Sequence, residues 1–268
     1  MLPRHFSHPC LYSYADALLP PVDPNYECKK HGQCYHSLFG SYRVDPDKPS
    51  MKSLTQAIER AYSSLSKSLT MFWDAQCLPI GEDWEKGFLN CLRNSSVIIL
   101  LVSRKAVKRC AVADTNVDNF LLEIDLAIDL HAAGKAVVIP VFMVQKDDKD
   151  FPGGHIAFLE YLQAPGTFPE KRAKHQWSSS KTIAATMRAV TQLPGAVNIF
   201  QDADFSAVAD EIAGKCEASM CLMLVGYLLG LVLISCITLL LSCERVVVYV
   251  CVWECALLCH LCVLHIVL

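Results

Sequence analysis

Residues 97–102 read Val-Ile-Ile-Leu-Leu-Val, with serines at 95, 96 and 103 on either side. A run with no polar face is buried on both sides. That is the pattern of a strand inside a parallel sheet covered by helices above and below. Residues 136–144, Ala-Val-Val-Ile-Pro-Val-Phe-Met-Val, repeat it, although Pro140 lacks an N–H and suggests an edge or a bulge. Between the two runs, residues 119–133 carry helical spacing and stop at Gly134. Strand, helix and second buried strand in that order require a crossover connection, so the chain folds into an α/β architecture.

The flanking segments extend the series. Residues 35–42 read as a short strand weakened by Gly40. A loop with Pro46 and Pro49 leads into residues 51–65, where Met51, Leu54, Ile58, Tyr62 and Leu65 fall at helical spacing. Residues 69–73 form a second strand, and a loop holding Pro79 and Gly81 follows. Residues 82–92 are then a helix with Trp84, Phe88, Cys91 and Leu92 on its apolar side. Residues 103–118 read as a polar loop whose Arg104, Lys105, Lys108 and Arg109 are either solvated or a partner or phosphate contact. The pattern βαβαβαβ over 35–144 predicts a doubly wound parallel sheet, the core of a domain over 35–216. Beyond it, 155–163 is a helix or an edge strand, and 179–192, capped at Ser178–Ser180, and 203–216 are terminal helices.

Hydrophobic residues make up 53% of the 268, and the excess sits at the C-terminus. Residues 219–241 hold no charge and as a helix would reach about 34 Å, enough for a transmembrane helix. Residues 246–268, interrupted by Glu254, His260 and His265, are a possible second membrane segment. Residues 1–34 are an irregular leader broken by prolines, with no signal-peptide core. The expected location is therefore a membrane, with the domain facing the cytosol and its thiols reduced. Of the 14 cysteines eight lie in the apolar tail, Cys216 and Cys243 being candidates for acylation beside the membrane. The net charge of −3 and the lack of a basic run exclude nucleic acid as a partner. Cys28, His31, Cys34 and His36 are metal-ligand types, but their spacing matches no zinc pattern, so no metal is expected. There is no phosphate-binding glycine loop either.

Candidate chemistry gathers at strand ends. Ser41 and Arg43 close the first strand, where ligands bind in such sheets. Arg43 could hold a pyrophosphate in a bidentate grip, or instead pair with Asp74 or Asp47. Cys77 is a candidate redox-sensitive or modified thiol. On helix 119–133, Asp125, Asp129 and Ala132 share one face at 100° per residue, and Glu123 lies about 140° away, beside Asn119, Ala127 and Leu130. A carboxylate turned towards apolar surroundings requires a reason.

Phe39-Gly40-Ser41-Tyr42-Arg43, then Phe72-Trp73-Asp74 with Cys77-Leu78 and Gly81-Glu82-Asp83-Trp84, then 97–103, then Asn119-Phe120-Leu121-Leu122-Glu123 are similar to the successive boxes of a TIR domain. The resemblance covers most of 35–144. It implies a flavodoxin-like fold, with the loop Cys77, Leu78, Pro79, Ile80 and Gly81 as an association surface for other TIR domains. It implies signalling of the innate-immune or cell-death type by a homo-oligomer, here membrane-anchored. The alternative it implies is an NAD⁺ nucleosidase activated by assembly, without a bound cofactor. Glu123 would then be the catalytic glutamate of the third helix, with Ser41, Tyr42, Arg43, Asp74, Trp84 and Asn119 around the substrate. Asn119 departs from the pattern, because catalytic members commonly carry tryptophan there. A third reading, a structural membrane protein with an inert α/β domain, stays open.

Overall fold

The computed structural model describes residues 28–30, 36–64, 70–73, 77–78, 84–146, 148–174, 181–201, 203–216 and 235. The chain divides into two compact units, Met1–Gly214 and Lys215–Leu268. The first carries a five-stranded sheet made of β1 (Leu38–Ser41), β2 (Met71–Phe72), β3 (Val97–Ser103), β4 (Val137–Val144) and β5 (Val197–Phe200). All pairs are parallel, and the order is β2-β1-β3-β4-β5. This is the doubly wound, flavodoxin-like order, in which the winding direction reverses between β1 and β3.

The helices are α1 (Val44–Ser64), α2 (Trp84–Arg93), α3 (Arg104–Cys110), α4 (Asn119–Ala132), α5 (His155–Gln163), α6 (Ile183–Thr191) and a last one, α7, over 205–216. Every residue of β3 is buried, as a central strand between two helical layers must be. Ile98, Leu100 and Val102 join Phe39, Val138 and Phe142 in one core, against Leu92 of α2, Ile124 of α4, Phe158 of α5 and Met187 of α6. On the other side of β1, Met51 of α1 and Met71 of β2 close over Gly40. A Cβ there would lie 2.8 Å from the Met71 methyl and 3.1 Å from the Met51 sulfur. Gly40 is thus a close-packing position, not merely a weakness in the strand.

Several expectations need correction. Helix α1 starts earlier than position 51. Asp45 is extended (φ −118°, ψ 112°), but regular helix follows it, because Pro49 sits near the helix start, where a missing N–H removes little. Arg104–Cys110 is helical rather than loop, since Ser103 accepts the Ala106 N–H at 3.0 Å as an N-cap. Strand β4 is internal rather than an edge. Its partner β5 covers only Val141–Val144, so Pro140 stands where one flank has no ladder and tolerates a missing donor. Residues 155–163 are a helix, and Thr182 rather than the serines before it caps α6; those serines lie outside the described residues.

The largest correction concerns the membrane. No helix among the described residues is long and apolar enough to cross one. The expected spans at 219–241 and 246–268 lie outside the described residues, Ser235 apart. Apolar composition supplies the transfer free energy of a span, but crossing also requires one unbroken helix of that length, and none is described. The membrane anchor, the membrane as partner and the membrane localisation are therefore withdrawn, and the α/β sheet stands without them.

Candidate active site

Where the winding reverses, neighbouring loops leave in opposite directions and open a crevice at the carboxyl ends of the strands. Here that crevice is a cleft of about 390 Å³. Strand β1 and its exit contribute Tyr42 and Arg43, the segment after β2 contributes Leu78, and the start of α4 contributes Asn119, Phe120 and Glu123. Its size suits part of a nucleotide-sized ligand.

Glu123 is 8% exposed. It sits on the face of α4 that turns to the cleft, and the acidic pair on the helix has another task. Asp125 and Asp129 share the other face of the helix, and Asp125 is buried there. It accepts a hydrogen bond from the Thr186 hydroxyl at 3.1 Å, and Lys181 reaches both carboxylates. Their attraction holds the Lys181 ammonium above its ordinary pKa, although burial alone acts in the opposite direction. The angular separation on the helix therefore sorts one carboxylate to the cleft and two to the packing of α6.

The side chain of Arg43 pairs with Asp118 rather than with Asp47. Its Nη2 donates to Asp118 at 2.8 and 2.6 Å, and its Nε donates to the Ala106 carbonyl at 2.9 Å. The guanidinium also lies 5.4 Å from the centre of the Phe120 ring. Only Nη1 has no hydrogen bond among the described residues, so the bidentate pyrophosphate grip expected of Arg43 is not available while this pair holds. Asp118 simultaneously caps α4, accepting the Leu121 N–H at 2.9 Å. Sequence reasoning missed Asp118. The signal was there, an aspartate directly before a helix.

The remaining expected residues divide. Tyr42 lines the cleft and its hydroxyl accepts the Trp73 indole N–H at 2.8 Å, which fixes both rings. The Asn119 Oδ1 atom is buried without a hydrogen-bond partner among the described residues, at the cleft wall. Ser41 is fully buried and does not line the cleft. Asp74, Pro79, Ile80, Gly81 and the side chain of Trp84 lie outside the described residues. Cys77 is fully buried and so offers no contact surface. Burial pushes its thiol up to about 12, which makes it a poor nucleophile rather than a reactive one.

The basic residues of α3 also divide. Arg109 belongs to the main cleft, and Arg104 pairs with Asp148 at 2.9 Å and with Asp150. Lys105 and Lys108 line a second cleft of about 210 Å³ with Ser103 and Asp47. Asp47 is 1% exposed and accepts the Ser103 hydroxyl at 2.8 Å. Burial raises its pKa to about 6, against the lowering effect of Ser103, Arg43 and Lys105.

No protein-family model matches this chain. No curated protein matches it either. Among solved structures, it is similar to the TIR domains of the activated Roq1 resistosome directly recognizing the pathogen effector XopQ. Identity is 14% and the TM-score 0.38, over 67% of this chain and 98% of that one. The expected TIR protein with a transmembrane segment is thus corrected to a partial structural likeness to TIR domains. Membrane-anchored signalling by homotypic assembly with other TIR domains is not carried forward, since no described helix can supply the anchor.

Proposed function

We propose that the main cleft binds NAD⁺ and that the chain hydrolyses its N-glycosidic bond, releasing nicotinamide. The observation that carries this reading is Glu123, a buried carboxylate opening on a cleft at the strand-order reversal. Nicotinamide leaves with the bonding electron pair and becomes neutral. The ribose left behind carries oxocarbenium character, which a carboxylate in low-dielectric surroundings stabilises. Water then adds to the anomeric carbon and loses a proton, giving ADP-ribose. Tyr42 and Phe120 offer ring surface to the nicotinamide or ribose. Asn119, at the cleft wall, turns its Oδ1, unpartnered among the described residues, outward to accept from a ribose hydroxyl. Arg43 contributes one N–H and positive charge near the phosphates.

The test is incubation of the full chain with NAD⁺ and measurement of free nicotinamide. Turnover is expected to fall by at least ~10²-fold in Glu123→Gln, with NAD⁺ binding retained. Absence of nicotinamide from the unaltered chain, or equal release by Glu123→Gln, would overturn the reading.

A further inference from the structure

Three metal-ligating side chains that lie far apart in sequence meet beside β2. Cys28, His36 and Cys77 each offer one ligand atom, and these atoms lie within 4.8 Å of one another. All three residues are at most 1% exposed. They come from three separate pieces of backbone: the segment before β1, the entry to β1, and the turn after β2. The backbone fixes their approach. The Lys29 N–H donates to the Cys77 carbonyl at 3.0 Å, which ties the first piece to the third. The Cys77 N–H donates to the Trp73 carbonyl at 2.9 Å, turning the chain back so that its sulfur faces the β2 edge. There the Trp73 N–H points at that sulfur at 3.4 Å, the kind of donor that supports a thiolate bound to a metal. The His36 ring is set edge-on to Phe72 with centroids 5.4 Å apart.

We infer that Cys28, His36 and Cys77 form a binding site for a divalent, thiophilic cation of the zinc type. Two sulfurs on a tetrahedral zinc stand about 3.8 Å apart, so the cluster needs a contraction of at most about 1 Å, within the reach of side-chain rotation. Charge selects the ion. Two thiols release two protons to solvent, and two thiolates with a neutral imidazole then balance a divalent cation. The occupied centre is neutral, which apolar surroundings favour. A cuprous ion on the same ligands would leave a net negative charge there. Soft sulfur donors exclude magnesium and calcium. Water takes the fourth position. The site joins the segment before β1 to the residue directly preceding Leu78 of the main cleft, so occupancy sets the position of one cleft wall. The binding site itself does not depend on which reaction the cleft performs.

The test uses the full chain, stripped of metal under reducing conditions and titrated with Co²⁺ as a spectroscopic probe. Expected are thiolate-to-cobalt charge-transfer bands with the intense visible bands of a tetrahedral centre, displaced by Zn²⁺. Eight further cysteines lie in the apolar tail, so the difference between proteins is what is read. Cys28→Ser and Cys77→Ser should each lose the same component, and His36→Cys should keep it with stronger charge transfer. His36→Cys also guards against misreading a serine variant that fails to fold. Chelator should lower the Tm of the unaltered protein and leave that of Cys28→Ser unchanged. Cobalt spectra identical in all four proteins, or a Cys28–Cys77 disulfide in peptide maps of protein purified without reductant, would overturn the site.

Discussion

The carboxylate of Asp118 holds Arg43 at 2.6 Å and the Leu121 N–H at 2.9 Å, so one side chain joins the end of β1 to the first turn of α4. The pair is largely removed from water, with side-chain exposures of 11% and 6%. In such a place, removing one partner leaves the other charged and unpaired.

Asp118→Ala is therefore expected to destabilise the domain by about 3–5 kcal/mol, combining an uncompensated guanidinium with a lost cap. Arg43→Met in that background should recover part of the loss. Urea denaturation of the two single variants and the double variant measures the coupling. Strict additivity would show that the pair does not act as a unit.

Asp47 gives a pH dependence with a definite sign. Its folded pKa of about 6 lies above the ordinary 3.8, so the native state holds this proton more tightly than the unfolded chain. Its contribution is most favourable below about 4, declines as pH rises towards 6 and stays reduced above that. Asp47→Asn keeps an acceptor for the Ser103 hydroxyl and removes the titration. The variant should gain about 3 kcal/mol at neutral pH and little in acid. Parallel stability curves for the two proteins between about pH 4 and pH 7 would contradict this.

Asn119 separates stability from binding. Its buried Oδ1 has no hydrogen-bond partner among the described residues, so Asn119→Leu should leave stability within about 1 kcal/mol or improve it. Affinity for NAD⁺, read by calorimetry, should fall by about tenfold, the loss of one hydrogen bond. A destabilised variant that binds normally would place Asn119 in the packing rather than the site.

Gly40 tests the closeness of α1 to the sheet. In Gly40→Ala the new methyl meets the ends of two methionines, which are flexible, so a cost of about 1 kcal/mol is expected. Gly40→Val adds two branches into the same space and should cost about 3 kcal/mol or more. Equal thermal stability of the two variants would show that α1 shifts as a body instead.

The central strands could be read from the sequence because burial on both faces leaves no polar residue to blur them, as 97–102 shows. Strand β5 could not. It is four residues long, and its alternation of buried Val197 and Ile199 with exposed Asn198 and Phe200 is too short to distinguish from loop. Helix α3 was hidden by its own charge, since Arg104, Lys105, Lys108 and Arg109 read as solvated while Ala106, Val107 and Cys110 do the packing. The burial of Glu123 on a face apart from Asp125 and Asp129 was legible because angular position on a helix is fixed by sequence alone. The Arg43–Asp118 pair and the Cys28–His36–Cys77 cluster were not, since both depend on which distant segments the topology brings together.

Pro140 has a consequence for the interior as well. Strand β5 leaves the outer flank of β4 unpaired from Val137 to Pro140 among the described residues. That flank is nonetheless buried, with Val138, Ile139 and Pro140 all shielded from solvent, so its polar backbone groups face packing rather than water. A ring in place of an N–H puts no stranded donor on that covered flank, so the residue that interrupts the apolar run also spares the interior an unpaired polar group.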